Sequence, residues 1–139
     1  MLSQVAHPNV PRYITYQVVK KQGILMMQRG KGIDLEQFSL KNGRLPARLL
    51  LDIAGQLANV LLALRQHRKD GELQPIVHGD IKPSNLVFDQ QTGLVSLIDW
   101  GSSVFAQLDA QGQYLSNNVM QLMSADLHSS NARMGDVYF

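Results

Sequence analysis

Residues 78–85 read HGDIKPSN, and thirteen residues separate Asn85 from the triplet Asp99-Trp100-Gly101. Asp80, Asn85 and Asp99 supply two carboxylates and one carboxamide carbonyl. Hard oxygen donors of this kind suit Mg²⁺, which keeps its remaining positions for water and phosphate. Lys82, between them, can neutralise charge that builds on a transferred phosphoryl group. Asp80, two residues earlier, can receive a hydroxyl proton. Gly79 and Gly101 allow sharp turns and the approach of a bulky polyphosphate. Together these residues point to metal-assisted phosphoryl transfer. Any one Asp or Asn alone would be read as a turn residue that satisfies backbone donors. The cluster around Lys82 is what argues for chemistry. His78 is read as a packed structural residue, not as a base. His7, His67 and His128 share no metal-ligand spacing, so a zinc site is not expected.

The elements that position these residues follow from periodicity. Ile76-Val77, the HGDIKPSN loop and Leu86-Val87-Phe88 precede a turn at Asp89 to Gly93. Leu94 to Ile98 then returns as a strand, which makes a short hairpin. Asp80 and Asn85 precede its first strand and Asp99 follows its second, so the three side chains gather at one end. Upstream, Leu49, Leu50, Ile53, Leu57, Val60, Leu61 and Leu64 recur at helical spacing, with Asp52, Gln56, Asn59 and Arg65 between them. Pro46 suits the first helical position, and Gly71 marks a point by which the helix has ended. Its apolar stripe is core packing. Tyr13 to Val19 and Ile24 to Gln28 form a first hairpin around a turn at Lys20 to Gly23. Leu2 to Ala6 is read as the last turn of a helix that stops before His7-Pro8. Arg29-Gly30-Lys31-Gly32 is a flexible connector; Leu35 stands where a dinucleotide fingerprint needs its third glycine.

The chain has 139 residues, 45% hydrophobic and 17% charged, which fits one folded domain. Lys and Arg exceed Asp and Glu by only two, too few to argue for nucleic acid. There is no cysteine, so disulfides and thiolate zinc sites are excluded. The apolar runs Leu49 to Leu51 and Val60 to Leu64 fall far below membrane-spanning length, and the N-terminus has no signal pattern. The expectation is a cytoplasmic protein with no membrane partner.

With these residues in view, the chain resembles serine/threonine-type, bacterial-like protein kinases, whose catalytic loop reads H-R-D-x-x-x-x-N and whose metal triplet reads D-F-G. His78-Gly79-Asp80 to Asn85 and Asp99-Trp100-Gly101 match in order. Lys82 resembles the serine/threonine subset. His7-Pro8-Asn9-Val10 is similar to the segment after the family's regulatory helix, and Ile24-Leu25-Met26-Met27 to the strand entering the hinge. Met26 would limit the depth of the adenine pocket. Met123 to Leu127 is similar to Met-Ala-Pro-Glu-Leu, and Gly135 to Tyr138 to the start of a central buried helix.

The resemblance implies an α+β, protein-kinase-like fold that is incomplete. It would hold the end of the small lobe, the hinge and the first part of a mainly helical large lobe. Residues 1–139 would be a single partial domain, with 1–28 the small-lobe remnant and hinge entry. Residues 29–139 would be the start of the large lobe, with catalytic loop and activation segment. It implies ATP and Mg²⁺ as cofactors and a protein substrate. Asp80 would orient or deprotonate the acceptor hydroxyl, and Lys82 would steady the γ-phosphate. Asn85 and Asp99 would hold Mg²⁺, backbone groups of Met27 and Arg29 would face adenine, and Asp136 would brace the catalytic loop.

Departures from the pattern carry their own expectations. Gly79 replaces the loop arginine that pairs with a phosphorylated activation segment, which argues against activation by that route. Trp100 replaces phenylalanine and would pack in its place. Val119 lies near the position of the threonine expected before Met123 to Leu127. Ser102, Ser103, Ser116, Ser124, Ser129 and Ser130 fall in the activation-segment region, and nothing selects a phosphosite among them. No Gly-rich loop and no Val-Ala-Ile-Lys lysine precede His7, and the chain stops short of the later large-lobe helices. A fragment inactive alone is therefore expected, since positioning and electrostatics make up most of this catalysis. Apolar faces prepared for absent helices would be exposed and would favour association. Two other readings share the pattern. Small-molecule phosphotransferases of the aminoglycoside or choline type carry His-Gly-Asp loops and Ile-Asp-Trp strand ends, although Ile81 to Asn85 is more like protein kinases. A non-catalytic kinase-like binding module is the third.

Overall fold

The structure is a computed structural model that describes residues 1–106 and Gln111. The segments 123–127 and 135–138, with Val119, Asp136, Ser116, Ser124, Ser129 and Ser130, lie outside the described residues.

The chain opens with a single 3-10 turn, Leu2–Gln4, where the last turn of an α-helix was expected. Strands β1 (Tyr13–Val19) and β2 (Gln22–Met27) pair antiparallel. The link between them is shorter than expected. Lys20 and Lys21 both take positive φ, so β2 begins at Gln22. A two-residue turn with both residues left-handed matches the twist of a hairpin, even without glycine.

The connector after β2 is not merely flexible. It leads into β3 (Ile33–Asp34) and a helix that the periodicity did not reveal, α1 (Leu35–Asn42). Asp34 caps α1 by accepting from Gln37 N–H at 2.8 Å, and Gly43 closes it with φ 79. Leu35 and Phe38 are its buried residues, and Phe38 meets Phe88 edge-to-face with ring centroids 5.5 Å apart.

Helix α2 (Ala47–Arg65) forms where the spacing indicated, but Pro46, expected at its first position, is its N-cap instead. It ends at Arg65, six residues before Gly71. Gly71 instead turns a small hairpin of β4 (Arg68–Lys69) and β5 (Glu72–Leu73), with Asp70 at φ 52 and Gly71 at φ 86. Among the described residues α2 is long and apolar enough to cross a membrane by length and composition. Only one face of it packs on the core. Ile53, Val60 and Leu64 are buried, and Gln56 bonds to a neighbouring hairpin. Such buried aliphatic side chains contribute roughly 1.5–3 kcal/mol each.

Strands β7 (Leu86–Phe88) and β8 (Val95–Leu97) form the expected second hairpin, one residue shorter at each end of the return strand. With β3 they make a three-stranded sheet in the order β3-β7-β8. Finally β6 (Ile76–Val77) pairs antiparallel with β9 (Val104–Phe105), Ile76 opposite Phe105 and Val77 opposite Val104. One core of Leu35, Phe38, Ile53, Val60, Leu64 and Leu97, among others, joins both helices to the sheet.

Candidate active site

The chain between β6 and β7 carries Asp80, Lys82 and Asn85, and the structure brings all three together. Lys82 Nζ lies 2.6 Å from Asp80 Oδ2. Asn85 Nδ2 donates to the Asp80 carbonyl at 2.8 Å and to Asp80 Oδ2 at 2.9 Å. The local fold explains this. Pro83–Asn85 form one 3-10 turn, with Asn85 N–H on the Lys82 carbonyl at 2.9 Å. Pro83 presets the turn at its first position. Asn85 is buried and reaches back over the loop, while Asp80 is 20% and Lys82 36% exposed in their side chains.

Burial pushes the Asp80 carboxyl upward. The hydrogen bonds from Lys82 and Asn85, with the Lys82 charge, outweigh it and hold the group below its ordinary value. Asp80 is therefore ionised at neutral pH.

Asp99 is placed by different contacts. It sits at φ 60, ψ 75, a left-handed conformation that Asp tolerates better than most non-glycine residues. Its Oδ1 accepts from Gly101 N–H at 3.3 Å and caps the 3-10 turn Trp100–Ser102. Asp99 is exposed and makes no hydrogen bond to Asp80, Lys82 or Asn85. The two halves of the site meet one residue earlier, where Ile98 N–H donates to the Asn85 carbonyl at 2.9 Å.

His78 joins the halves from below and is fully buried, as a packed residue should be. Its Nδ1 accepts from Asp80 N–H at 3.3 Å, so Nε2 carries the proton and donates to the Ile98 carbonyl at 3.1 Å. Its ring meets the Trp100 ring edge-on at 4.9 Å. Trp100 is buried as expected, and its Nε1 donates to the Leu97 carbonyl at 3.1 Å. Gly79 stands against Ser102: a β-carbon there would lie 2.6 Å from the Ser102 carbonyl oxygen, and its φ is +83. The β6–β9 register, extended, puts residue 79 opposite residue 102, so this close approach continues the ladder.

The other two candidate residues lie apart from this cluster. Met27 ends β2 and is half-buried, and Arg29 is exposed in the connector. Gly30, the next residue, touches the sheet: a β-carbon there would lie 3.4 Å from the β-carbons of Val87 and Ser96. The connector thus runs beside the hairpin whose ends carry Asn85 and Asp99.

The donor set fits a hard cation. Asn85 spends its Nδ2 on Asp80, which leaves its carbonyl oxygen as the ligating atom, and Asp99 offers an exposed carboxylate. Sequence reasoning singled out neither Asn9 nor Gln56, whose side chains bond to each other at 2.7 Å and to the Val95 backbone. Asn9 was visible only as part of His7 to Val10, and Gln56 only as a polar position on α2.

Comparison with known proteins bears on this geometry. The family model described as protein kinase domain matches residues 1–124. CBL-interacting serine/threonine-protein kinase 7 of Arabidopsis thaliana is 33% identical over 101 residues, 73% of this chain and 22% of that protein. Serine/threonine-protein kinase B of Synechocystis sp. is 31% identical over 104 residues, 75% of this chain and 17% of that protein. Mitogen-activated protein kinase kinase 10 of Arabidopsis thaliana is 37% identical over 94 residues, 66% of this chain and 28% of that protein. The chain spans about a fifth of the length of the first curated relatives it matches.

Proposed function

The chain belongs to the protein kinase family, and from that premise we propose that it supplies the catalytic-loop and metal-holding part of an ATP- and Mg²⁺-dependent phosphoryl transfer to protein Ser/Thr hydroxyls. The observation that carries this reading is the Asp80 carboxylate held 2.6 Å from Lys82 Nζ and 2.9 Å from Asn85 Nδ2. Both bonds go to Oδ2, which leaves Oδ1 to receive the acceptor hydroxyl. Asp80 aligns that hydroxyl and takes its proton as the new P–O bond forms. Lys82 has two further ammonium protons beyond the one directed at Asp80, and it steadies the transferred group as charge develops. Asn85 and Asp99 hold Mg²⁺, which when bound neutralises phosphate charge. Backbone groups of Met27 and Arg29 receive adenine. The proposed compartment is the cytoplasm, where ATP and Mg²⁺ are supplied. The 139 residues alone are proposed to be inactive, because they contain no Gly-rich phosphate loop with its strand lysine.

A small-molecule hydroxyl as acceptor is the second reading. It is favoured by Gly79, whose close approach to Ser102 no side chain fits, together with Ile98-Asp99-Trp100. The natural polypeptide carrying this sequence should be given labelled ATP with a generic protein substrate and, separately, an aminoglycoside and choline panel. Label in protein, abolished by Asp80→Asn and by Asp99→Ala, is expected. Label only in the small molecules would move the assignment to the second reading. No label in either, with nucleotide binding indifferent to Asp99→Ala, would leave a binding module.

A further inference from the structure

Among the described residues, strand β8 is an edge strand of its sheet. Ser96 faces β7, opposite Val87, so Val95 and Leu97 turn their N–H and C=O groups to the outer side. An open edge of this kind leaves backbone groups to be satisfied by something other than a strand. Here side chains and turns do so. Gln56 Oε1, from α2, accepts from Val95 N–H at 2.9 Å. Asn9 Nδ2 donates to the Val95 carbonyl at 2.7 Å, and the Asn9 carbonyl accepts from Leu97 N–H at 2.8 Å. The Leu97 carbonyl accepts from Trp100 Nε1 at 3.1 Å. All four outward groups are therefore bonded.

The two amides also bond each other. Asn9 Nδ2 donates to Gln56 Oε1 at 2.7 Å, and Gln56 Nε2 donates to the Gly93 carbonyl at 2.8 Å, in the turn that leads into β8. This sets the Gln56 amide orientation. Reversed, its NH₂ would face two donors and its oxygen a carbonyl. Asn9 is itself fixed, being buried, with its N–H on His7 Nδ1 at 3.1 Å.

We propose that Gln56, with Asn9, is a positioning residue of the site: the paired amides cap the outer edge of β8 and so fix the register and direction in which the chain enters Asp99. Asp99 lies two residues beyond Leu97, and Ile98, between them, bonds to the Asn85 carbonyl. A one-residue slip of β8 would turn Val95 and Leu97, 1% and 0% exposed, away from the core, and would carry Asp99 past Asn85. The functional consequence rests on the phosphotransfer reading, in which Asn85 and Asp99 share the cation.

The test uses the natural polypeptide in two measurements. In the first, a fluorescent ATP analogue is titrated with and without Mg²⁺. Gln56→Leu should lose about tenfold or more of the affinity that Mg²⁺ adds, as outer-shell substitutions do, and leave metal-free binding unchanged. Gln56→Glu keeps the Oε1 acceptor for Asn9 and Val95 but sets an oxygen against the Gly93 carbonyl, so it should retain only part of the gain. Equal weakening with and without Mg²⁺ would overturn the positioning role. In the second, amide hydrogen exchange is followed. Val95 and Leu97 should exchange faster in Gln56→Leu, while amides paired across β1 and β2 keep their rates. Unchanged protection at Val95 and Leu97 would overturn the cap itself. If the wild type gains nothing from Mg²⁺, the phosphotransfer reading fails, and exchange alone decides whether the cap stands. Should Gln56→Leu not fold, Gln56→Asn, which withdraws the amide by one methylene, is measured in its place.

Discussion

A carboxylate can accept a hydroxyl proton only if it is ionised before the hydroxyl arrives. Two partners keep Asp80 so: Lys82 Nζ at 2.6 Å and Asn85 Nδ2 at 2.9 Å. Asp80→Asn keeps the shape but cannot take the proton. It should lower kcat of the natural polypeptide by about 10²–10⁴, the usual worth of a general base, with KM for ATP little changed. Steady-state kinetics check this. A second residue-scale outcome concerns His7, whose Nδ1 accepts from Asn9 N–H and whose pKa is lowered by burial. Because the fold favours the neutral ring, the unfolded chain binds the proton more readily. The stability His7 contributes is therefore complete above its ordinary value of 6.5 and is lost as pH falls below it. Thermal midpoints measured from pH 7.5 to 5 should drop more steeply for the wild type than for His7→Asn. Parallel slopes would remove His7 from the account.

At the scale of elements, the close approach of the β6 and β9 segments has a measurable cost when disturbed. Gly79 and Gly43 have similar φ, +83 and +79, but different surroundings. A β-carbon at Gly43 meets nothing within 4 Å, whereas at Gly79 it meets the Ser102 carbonyl oxygen at 2.6 Å. Gly43, at φ 79 and ψ −155, lies in a region that glycine alone favours, so Gly43→Ala should cost the backbone strain only, roughly 1–3 kcal/mol. Gly79→Ala should add a clash with backbone to its positive-φ strain and cost more than Gly43→Ala, read as urea midpoints. The same comparison shows what a sequence reveals and what it hides. The α2 stripe and the two hairpins were legible because apolar spacing reports burial directly. The cluster of Asp80, Lys82 and Asn85 was legible because the three lie within six residues, and one turn brings them together. Helix α1 was not, since it has few buried positions and its signals were a cap at Asp34 and a glycine at residue 43. The β4–β5 hairpin hid inside an expected helix end, although Asp70-Gly71 is itself a hairpin signal. The amide cap on β8 was illegible because Asn9 and Gln56 stand 47 residues apart and Val95 a further 39. Only the packing of α2 on the sheet brings them together.

Across the whole molecule, apolar surface is distributed unevenly. Ile53, Val60 and Leu64 face the core, yet Leu50, Leu51 and Leu62 of the same helix are 53%, 72% and 51% exposed. The β1–β2 hairpin is exposed on both faces: Ile14, Tyr16 and Val18 on one strand, Ile24, Leu25 and Met26 on the other. A two-stranded sheet with no covering layer, as this one stands among the described residues, is at most marginally stable in water. Exposed apolar surface on this scale favours contact with other apolar surface. The 139-residue polypeptide made alone should therefore associate, giving a mass above 15.5 kDa in light scattering behind size exclusion. Two substitutions on α2 separate this from simple misfolding. Leu51→Glu alters an exposed position and should reduce association without lowering the melting midpoint. Ile53→Ala, at a position 2% exposed, removes core packing and should cost about 2–5 kcal/mol while leaving the outer face as it was. A monomer of 15.5 kDa with a sharp cooperative melt would show that the described core is sufficient by itself and that these faces need no cover.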